Sequence, residues 1–409
     1  MTLQAVAAAA LILGGSFLDV PVAIVLGLVL LLLETVHWTW VRYGMEGVTY
    51  RRRLARDRTT WGEDIPLTIE VWNRKRLPLA WLRADDEASQ HVAIRERTMR
   101  FDERGALILR NAWTLAPFER VARELHIGAD RRGVYVIGPV RLSVGDLFAR
   151  RAVVEDDNAV DRFIVRPRTV PTVGFDRPDR WGGEDRARFG LTEDPARFAG
   201  VRPYVLGDPR RRIHHRTSAR LNRPMTKRFE PSRDREVLIV LDLQTDHGPT
   251  WEVAFDEDAV EGLIVVVASL ARSLALERAS FGIAAAGYTG AETRFAHLAV
   301  SAGPGQLERG LDLLARLSSH PSTSFERLLD KVQRLARPGT TVLVVSARDP
   351  GPFLGRFRRL GRAGCTVVLL ASGPDAASHG SRVRTAGIAA RQAQLDGPWQ
   401  TATRLVVAS

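Results

Sequence analysis

An uncharged apolar run from Leu3 to Leu18 stops at Asp19, and a second run, VPVAIVLGLVLLLLETVHWTW, fills Val20 to Trp40. At 1.5 Å per helical residue the second run reaches about 31 Å, against a bilayer core of about 30 Å; the first reaches about 24 Å. A signal peptide would want a basic start and a small-residue cleavage site, and Met1–Gln4 carries no positive charge. Residues 1–43 therefore read as a transmembrane helical hairpin joined at Ser16–Pro21, with membrane lipid as its partner. Trp38, Trp40 and Tyr43 form an aromatic belt. Arg42, Arg51, Arg52, Arg53, Arg56 and Arg58 follow it, so the positive-inside rule expects the bulk of the chain on the cytoplasmic side of the inner membrane. Glu34 and His37 sit near that end, where snorkelling to the interface is a simpler reading than an ion site.

The rest of the 409 residues has the composition of a soluble protein: 45% hydrophobic, 26% charged. Net charge is +12, but only three residues are lysine (Lys75, Lys227, Lys331). That arginine skew looks like genome composition and argues against nucleic acid as a partner. The lone Cys365 excludes an internal disulfide framework and CxxC zinc knuckles, and it reads as a buried thiol at the start of a strand.

From residue 48 to 170 the pattern alternates with period two, most clearly in Ile65–Trp72. Further strands are expected at 79–82, 106–115, 121–127, 133–137, 140–144 and 162–165, an all-β sandwich with Trp61, Trp72, Trp81 and Trp113 as packing residues. Residues 171–235 read as a loop-rich linker. Within it Asp208 is expected to cap a helix, with Pro209 in the first turn and Arg210, Arg211, Arg212, Arg216 and Arg220 along it.

Residues 236–409 alternate buried strands (236–241, 281–286, 341–346, 366–371) with helices (from about 255, then 306–317, 325–335, 353–362). This is the pattern of an α/β, Rossmann-like open sheet covered on both faces, which binds ligands beyond the strands' carboxyl ends. Asp242, Ser346 and Asp349 fall on that rim; Asp256, Glu257 and Asp258 sit in a first helical turn, where carboxylates suit the dipole. No Walker A loop, GxGxxG, HExxH or GxSxG is present, and His214-His215 point about 100° apart on a helix.

Arg202-Pro203-Tyr204, Gly207-Asp208, Arg212-Ile213 and Ser218-Ala219-Arg220 together resemble the signature of a bacterial family, domain of unknown function 58. Arg132–Tyr135, Gly138-Pro139 and Asp146–Phe148 resemble its sheet domain's closing motif. The resemblance implies a membrane-anchored protein with a von Willebrand A-like domain at 236–409, and a MoxR-type AAA+ ATPase as partner. It also implies a metal-ion-dependent adhesion site, here degenerate: Asp242, Gln244 and Asp246 stand in the Asp-x-Ser-x-Ser positions. Thr323 could match the threonine, and Ala347 falls where a second aspartate is expected. An intact site of that kind holds Mg²⁺; with these replacements the alternative is a vestigial rim without a cofactor, in which Asp242 caps the neighbouring loop, and His215 replaces the signature's usual tryptophan. The expected function is a non-enzymatic cytoplasmic scaffold acting in protein assembly or maturation. The alternatives are a divalent-metal hydrolase on Asp242, Asp246 and Asp349, or an anionic lipid or nucleic-acid binder through Arg210–Arg220.

Overall fold

The computed structural model describes residues 3–145, 152–175, 193–205, 208–231, 236–245, 256–290 and 294–408. Gly207, Asp246 and the 146–148 motif lie outside them. Two compact units meet in sequence at Arg166/Pro167.

Unit one begins with helices α1 (Leu3–Phe17) and α2 (Pro21–Tyr43). They pack closely because Gly27 offers no side chain: a Cβ there would lie 2.6 Å from Ile12 Cγ1 and 2.9 Å from Ala8 O. Pro21 suits the first turn of α2. Val22, Leu28 and Leu32 point outward with more than half their surface exposed. By length and composition, Pro21–Trp40 can cross a membrane.

The strands that follow are β1 (Val48–Leu54), β2 (Arg58–Thr60), β3 (Ile65–Asn73), β4 (Leu79–Ala88), β5 (Ala93–Ile94), β6 (Arg100–Phe101), β7 (Leu107–Leu115), β8 (Arg120–Gly128), β9 (Gly133–Gly145), β10 (Ala152–Asp157) and β11 (Asp161–Arg166). One sheet runs β1-β3-β8-β5; the other runs β2-β11-β9-β4-β7-β6, with β10 on β9. Alternation sets the core: Ile65, Leu67, Ile69 and Val71 of β3 meet Leu82, Leu109, Leu115, Val144 and Phe163 across the sandwich. The two strands expected at 133–137 and 140–144 are one. Gly133–Ile137 pairs with β11 and Val140–Gly145 with β10, so Pro139 sits between two partners, where a missing N–H is tolerated.

The arginines that followed the hairpin also have work inside this unit. Arg52, 2% exposed at its side chain, donates to buried Asp86 (2.8 Å) and pairs with Asp161 (3.1 Å). The Tyr50 hydroxyl donates to the other Asp86 oxygen (2.5 Å). Burial pushes the Asp86 carboxyl up to about 6, against the pull of Tyr50 and Arg52.

Unit two contains β12 (Thr172–Val173), β13 (Glu193–Pro203), α3 (His215–Leu221), β14 (Met225–Pro231), β15 (Glu236–Leu241), α4 (Glu257–Leu276), β16 (Ser280–Ala285), β17 (Ala296–Ser301), α5 (Gln306–Arg316), α6 (Phe325–Leu335), β18 (Thr341–Ser346), α7 (Leu354–Arg362), β19 (Thr366–Ala371), α8 (Ala376–Thr385), β20 (Ala389–Leu395) and β21 (Leu405–Ala408). Its main sheet has the order β12-β21-β20-β19-β18-β15-β16-β17. Pairs from β16 to β20 through β15 are parallel; β17 and β21 run antiparallel at either side. Residues alternate between two cores. Val237, Ile239, Leu241, Leu343 and Val345 face α4, while Leu238, Val240, Val342 and Val344 face α6, α7 and α8. Helix α4 buries Val260, Leu263, Ile264, Val267, Leu270 and Leu274, each contributing roughly 1.5–3 kcal/mol. That burial explains why so apolar a helix belongs to the core.

Secondary structure forms within the stretch read as a linker. β13 and β14 pair antiparallel, and α3 lies between them in sequence.

Candidate functional site

In the main sheet, β15 pairs with β16 on one side and β18 on the other, so the chain reverses its direction of travel at the β15/β18 boundary. Such a reversal opens a crevice at the carboxyl ends of the strands. Asp242 follows β15 there and Ser346 ends β18, which places both residues named from sequence on one rim. They touch: Ser346 Oγ donates to Asp242 Oδ2 at 2.9 Å.

A third residue, not singled out in the sequence, completes the arrangement. Arg348 Nε donates to Asp242 Oδ2 (2.9 Å) and its Nη2 to Oδ1 (3.1 Å). The Gln244 amide donates to Oδ1 (3.2 Å), and Arg348 N donates back to Ser346 Oγ (3.1 Å). The side chains of Arg348 and Asp242 are 3% and 1% exposed. Two aromatic rings roof the guanidinium, Phe353 at 4.9 Å and Phe325 at 5.9 Å. Burial pushes the Asp242 carboxyl up, and Arg348, Ser346 and the Gln244 amide pull it back.

The donor set does not fit the implied Mg²⁺. A divalent ion needs free carboxylate oxygens in near-octahedral array, and both oxygens of Asp242 are bonded to a resident guanidinium. Gln244 meets Asp242 through its backbone amide. Thr323 is half-buried in the loop before α6, and Ala347 offers no oxygen on its side chain. Asp349, the further carboxylate of the hydrolase alternative, accepts from Gly351 N (3.1 Å) and from Arg382 Nη1. Among the described residues no group of three or more His, Cys, Asp and Glu could hold a metal ion.

Beside this pair lies a cleft of about 790 Å³, lined by Thr245, Ala347, Gly373, Asp375, Gln394 and Trp399 along with the first turns of α4. Its carboxylates are largely engaged. Asp256 caps α4 by accepting from Ala259 N (3.0 Å), and Asp258 accepts from Trp399 Nε1 (3.1 Å) and Gln400 Nε2 (3.2 Å). Gly262 presents open space: a Cβ there would meet nothing nearer than Trp399 Cβ at 4.0 Å.

The signature residues form a separate cluster. Arg202 makes a fork to Asp208, Nη1–Oδ2 2.8 Å and Nη2–Oδ1 2.7 Å. Asp208 also accepts from Val205 N (3.1 Å) and Thr226 Oγ1 (3.2 Å), and Tyr204 Oη donates to its carbonyl (3.2 Å). The Arg202 fork holds the Asp208 carboxyl down at about 2. Asp208 therefore clamps a turn and does not cap a helix. The cap of α3 is His214, whose Nδ1 accepts from Thr217 N (3.1 Å), and Arg210–Arg212 form a separate 3₁₀ turn. Ser218 Oγ donates to His214 O (3.0 Å) and accepts from Met225 N (2.9 Å), locking α3 to β14. Ile213 bridges to Thr226. Arg210, Arg211, Arg216, Ala219 and Arg220 remain exposed, and Arg212 is half-buried.

Both clusters fall inside one matched segment, residues 200–349, whose family is described as Protein of unknown function DUF58. Residues 200–349 are a DUF58 family domain. The DUF58 match runs from β13 through the Ser346–Arg348 segment, so it spans the Arg202–Asp208 turn and the Asp242–Arg348 pair together. The chain is also 35% identical over 89 residues to the uncharacterized protein YeaD of Bacillus subtilis (strain 168), covering 22% of this chain and 20% of that protein. The chain thus spans about a fifth of that relative's length. Among solved structures, a CARDB domain of the Pyrococcus furiosus protein PF1109 is 14% identical with a TM-score of 0.20, covering 29% of this chain and 89% of that one. A cohesin module of a Clostridium perfringens family 33 glycoside hydrolase is 9% identical at TM-score 0.20, covering 29% and 97%. Overlaps of that quality carry no functional argument for the DUF58 domain.

Proposed function

We propose that this protein is a membrane-anchored adaptor whose α/β domain captures a protein partner in the rim cleft. Helices α1 and α2 hold it in the cytoplasmic membrane with the bulk of the chain facing the cytoplasm, in keeping with Arg42 and the basic residues past it. By family resemblance the partner is a MoxR-type AAA+ ATPase, and the process is assembly or maturation of other proteins.

One observation carries this reading. The cleft sits at the topological switch of the sheet, and three of the four carboxylates in or beside it are held by neighbours: Asp242 by Arg348, Asp256 by the Ala259 amide and Asp258 by Trp399 and Gln400, while Asp375 is exposed at the edge. Charged groups so engaged hold a surface in shape and are poorly placed to move protons or attack a bond. The exposed arginines of the α3 segment complement an acidic partner surface.

Gly262→Trp tests the proposal, because its side chain would project into the cleft and leave the core alone. Purified from detergent extract, the variant is expected to lose at least tenfold of the ATPase that accompanies the native protein, with an unchanged circular dichroism spectrum. Equal enrichment, or none with the native protein, would overturn the assignment of the cleft.

A further inference from the structure

Three loops meet where α2 runs into the sandwich: residues 44–47, residues 74–78 between β3 and β4, and residues 116–119 between β7 and β8. They are tied together. Lys75 Nζ donates to the carbonyls of Gly44, the C-cap residue of α2, and of Glu46 (2.8 Å) in the turn that follows it. Arg74 N donates to Gly47 O (2.8 Å), and Phe118 N to Lys75 O (3.3 Å). Buried Asn73 spans two of the loops, its Nδ2 reaching Leu77 O (3.0 Å) and Ala116 O (2.9 Å). This end of the sandwich is therefore pinned beside the end of α2.

Two features of it face outward. Phe118 is 60% exposed and holds φ at +62°, at the third position of a turn closed by Glu119 N on Ala116 O (3.3 Å). With Pro117 before it, that is the position a type II turn reserves for glycine, and bulky residues avoid it. Arg74 and Arg76 are both exposed, and among the described residues neither has a carboxylate partner; Arg74 lies over the Trp72 ring at 3.9 Å. An exposed aromatic side chain beside two exposed arginines that no carboxylate neutralises, tied to the end of an apolar helix, has the chemistry of a membrane–water interface.

We propose that this loop cluster is a second membrane contact, in which Phe118 enters the headgroup layer and Arg74 and Arg76 bind anionic lipid phosphates. The inference rests on reading α2 as bilayer-spanning, and it commits to the lipid surface because the cluster is continuous with the end of that helix.

The full chain, with Cys365→Ala and one new cysteine carrying an environment-sensitive fluorophore, is reconstituted in nanodiscs of 30% phosphatidylglycerol in phosphatidylcholine, with and without lipid-borne quencher. The label sits at Phe118→Cys, at Leu28→Cys within α2, or at Arg104→Cys beyond the opposite end of β7. Labels at 28 and 118 are expected to be quenched and the label at 104 not. Arg74→Glu with Arg76→Glu, or pure phosphatidylcholine discs, should lower quenching at 118 at least twofold. Quenching at 28 with none at 118 overturns the proposal and spares the anchor; no quenching at 28 removes both. Undiminished quenching at 118 in phosphatidylcholine overturns the anionic-lipid assignment. Phe118→Gly, which suits the positive φ, is expected to raise the melting temperature slightly; a fall of several degrees would mean that Phe118 serves the fold and overturn its assignment to lipid.

Discussion

Removing the guanidinium from the rim pair isolates what it does. Arg348→Met keeps most of the aliphatic volume beneath Phe353 and Phe325 but strips two of the four donors from a carboxylate 1% exposed. Breaking a buried pair from one side costs about 3–5 kcal/mol, because the remaining charge is left without compensation. At about 1.4 kcal/mol per decade, amide exchange in residues 236–245 and 341–348 should accelerate by roughly two to three and a half decades in the full chain held in detergent. Asp242→Asn with Arg348→Met removes the stranded charge as well, and most of the loss should return. The pH response has a definite sign. Without Arg348 the folded Asp242 carboxyl rises further above its unfolded value near ~4, so the folded state binds the proton more tightly and the variant regains stability as pH falls toward ~4. A loss of less than tenfold in protection, or a double variant as labile as the single one, would refute the claim that the pair is a compensated charge inside the rim.

Two further outcomes follow from the same geometry. Calorimetric titration with MgCl₂ should give the same heats for the native protein and Asp242→Asn, because Arg348 already holds both oxygens; a saturable signal lost in the variant would contradict this. In unit one the folded Asp86 carboxyl titrates at about 6, above its unfolded value, so its ionisation weakens the sandwich as pH rises from about 4 to about 6. The component is about 3 kcal/mol at most, and it should vanish from the pH profile of exchange in β4 in Asp86→Asn; an unchanged slope would point to another group.

The parts of the fold legible from sequence are those whose signal is local. Period two in Ile65–Val71 marks a strand with one buried face, and the unbroken Val237–Leu241 marks one buried on both. In α4 the 3.6-residue spacing of Val260, Leu263, Ile264, Val267, Leu270 and Leu274 marks one apolar face, and all six are buried. Signals failed where a residue's role is set by a distant partner. Arg52 reads as one more basic residue after a membrane helix, yet it is a buried ion-pair member because Asp86 and Asp161 arrive from other strands. Asp208-Pro209 has the composition of a helix start, but Arg202 and Thr226 claim the carboxylate first. β13 and β14 lacked a clean alternation, since a pairing with bulges between Glu193 and Gly200 breaks the register.

By itself the amino-acid order determined an apolar N-terminal helix pair, a sandwich and an α/β sheet, with Asp242 at a strand's carboxyl end, because hydrophobic period and chain reversal are written in neighbouring residues. Only the tertiary structure decided what Asp242 faces. The sheet sets β18 beside β15, although 104 residues separate Ser346 from Asp242, and so delivers the Arg348 guanidinium onto that carboxylate. Strand order is a property of long-range pairing, and no local pattern encodes which cation a buried carboxylate will meet.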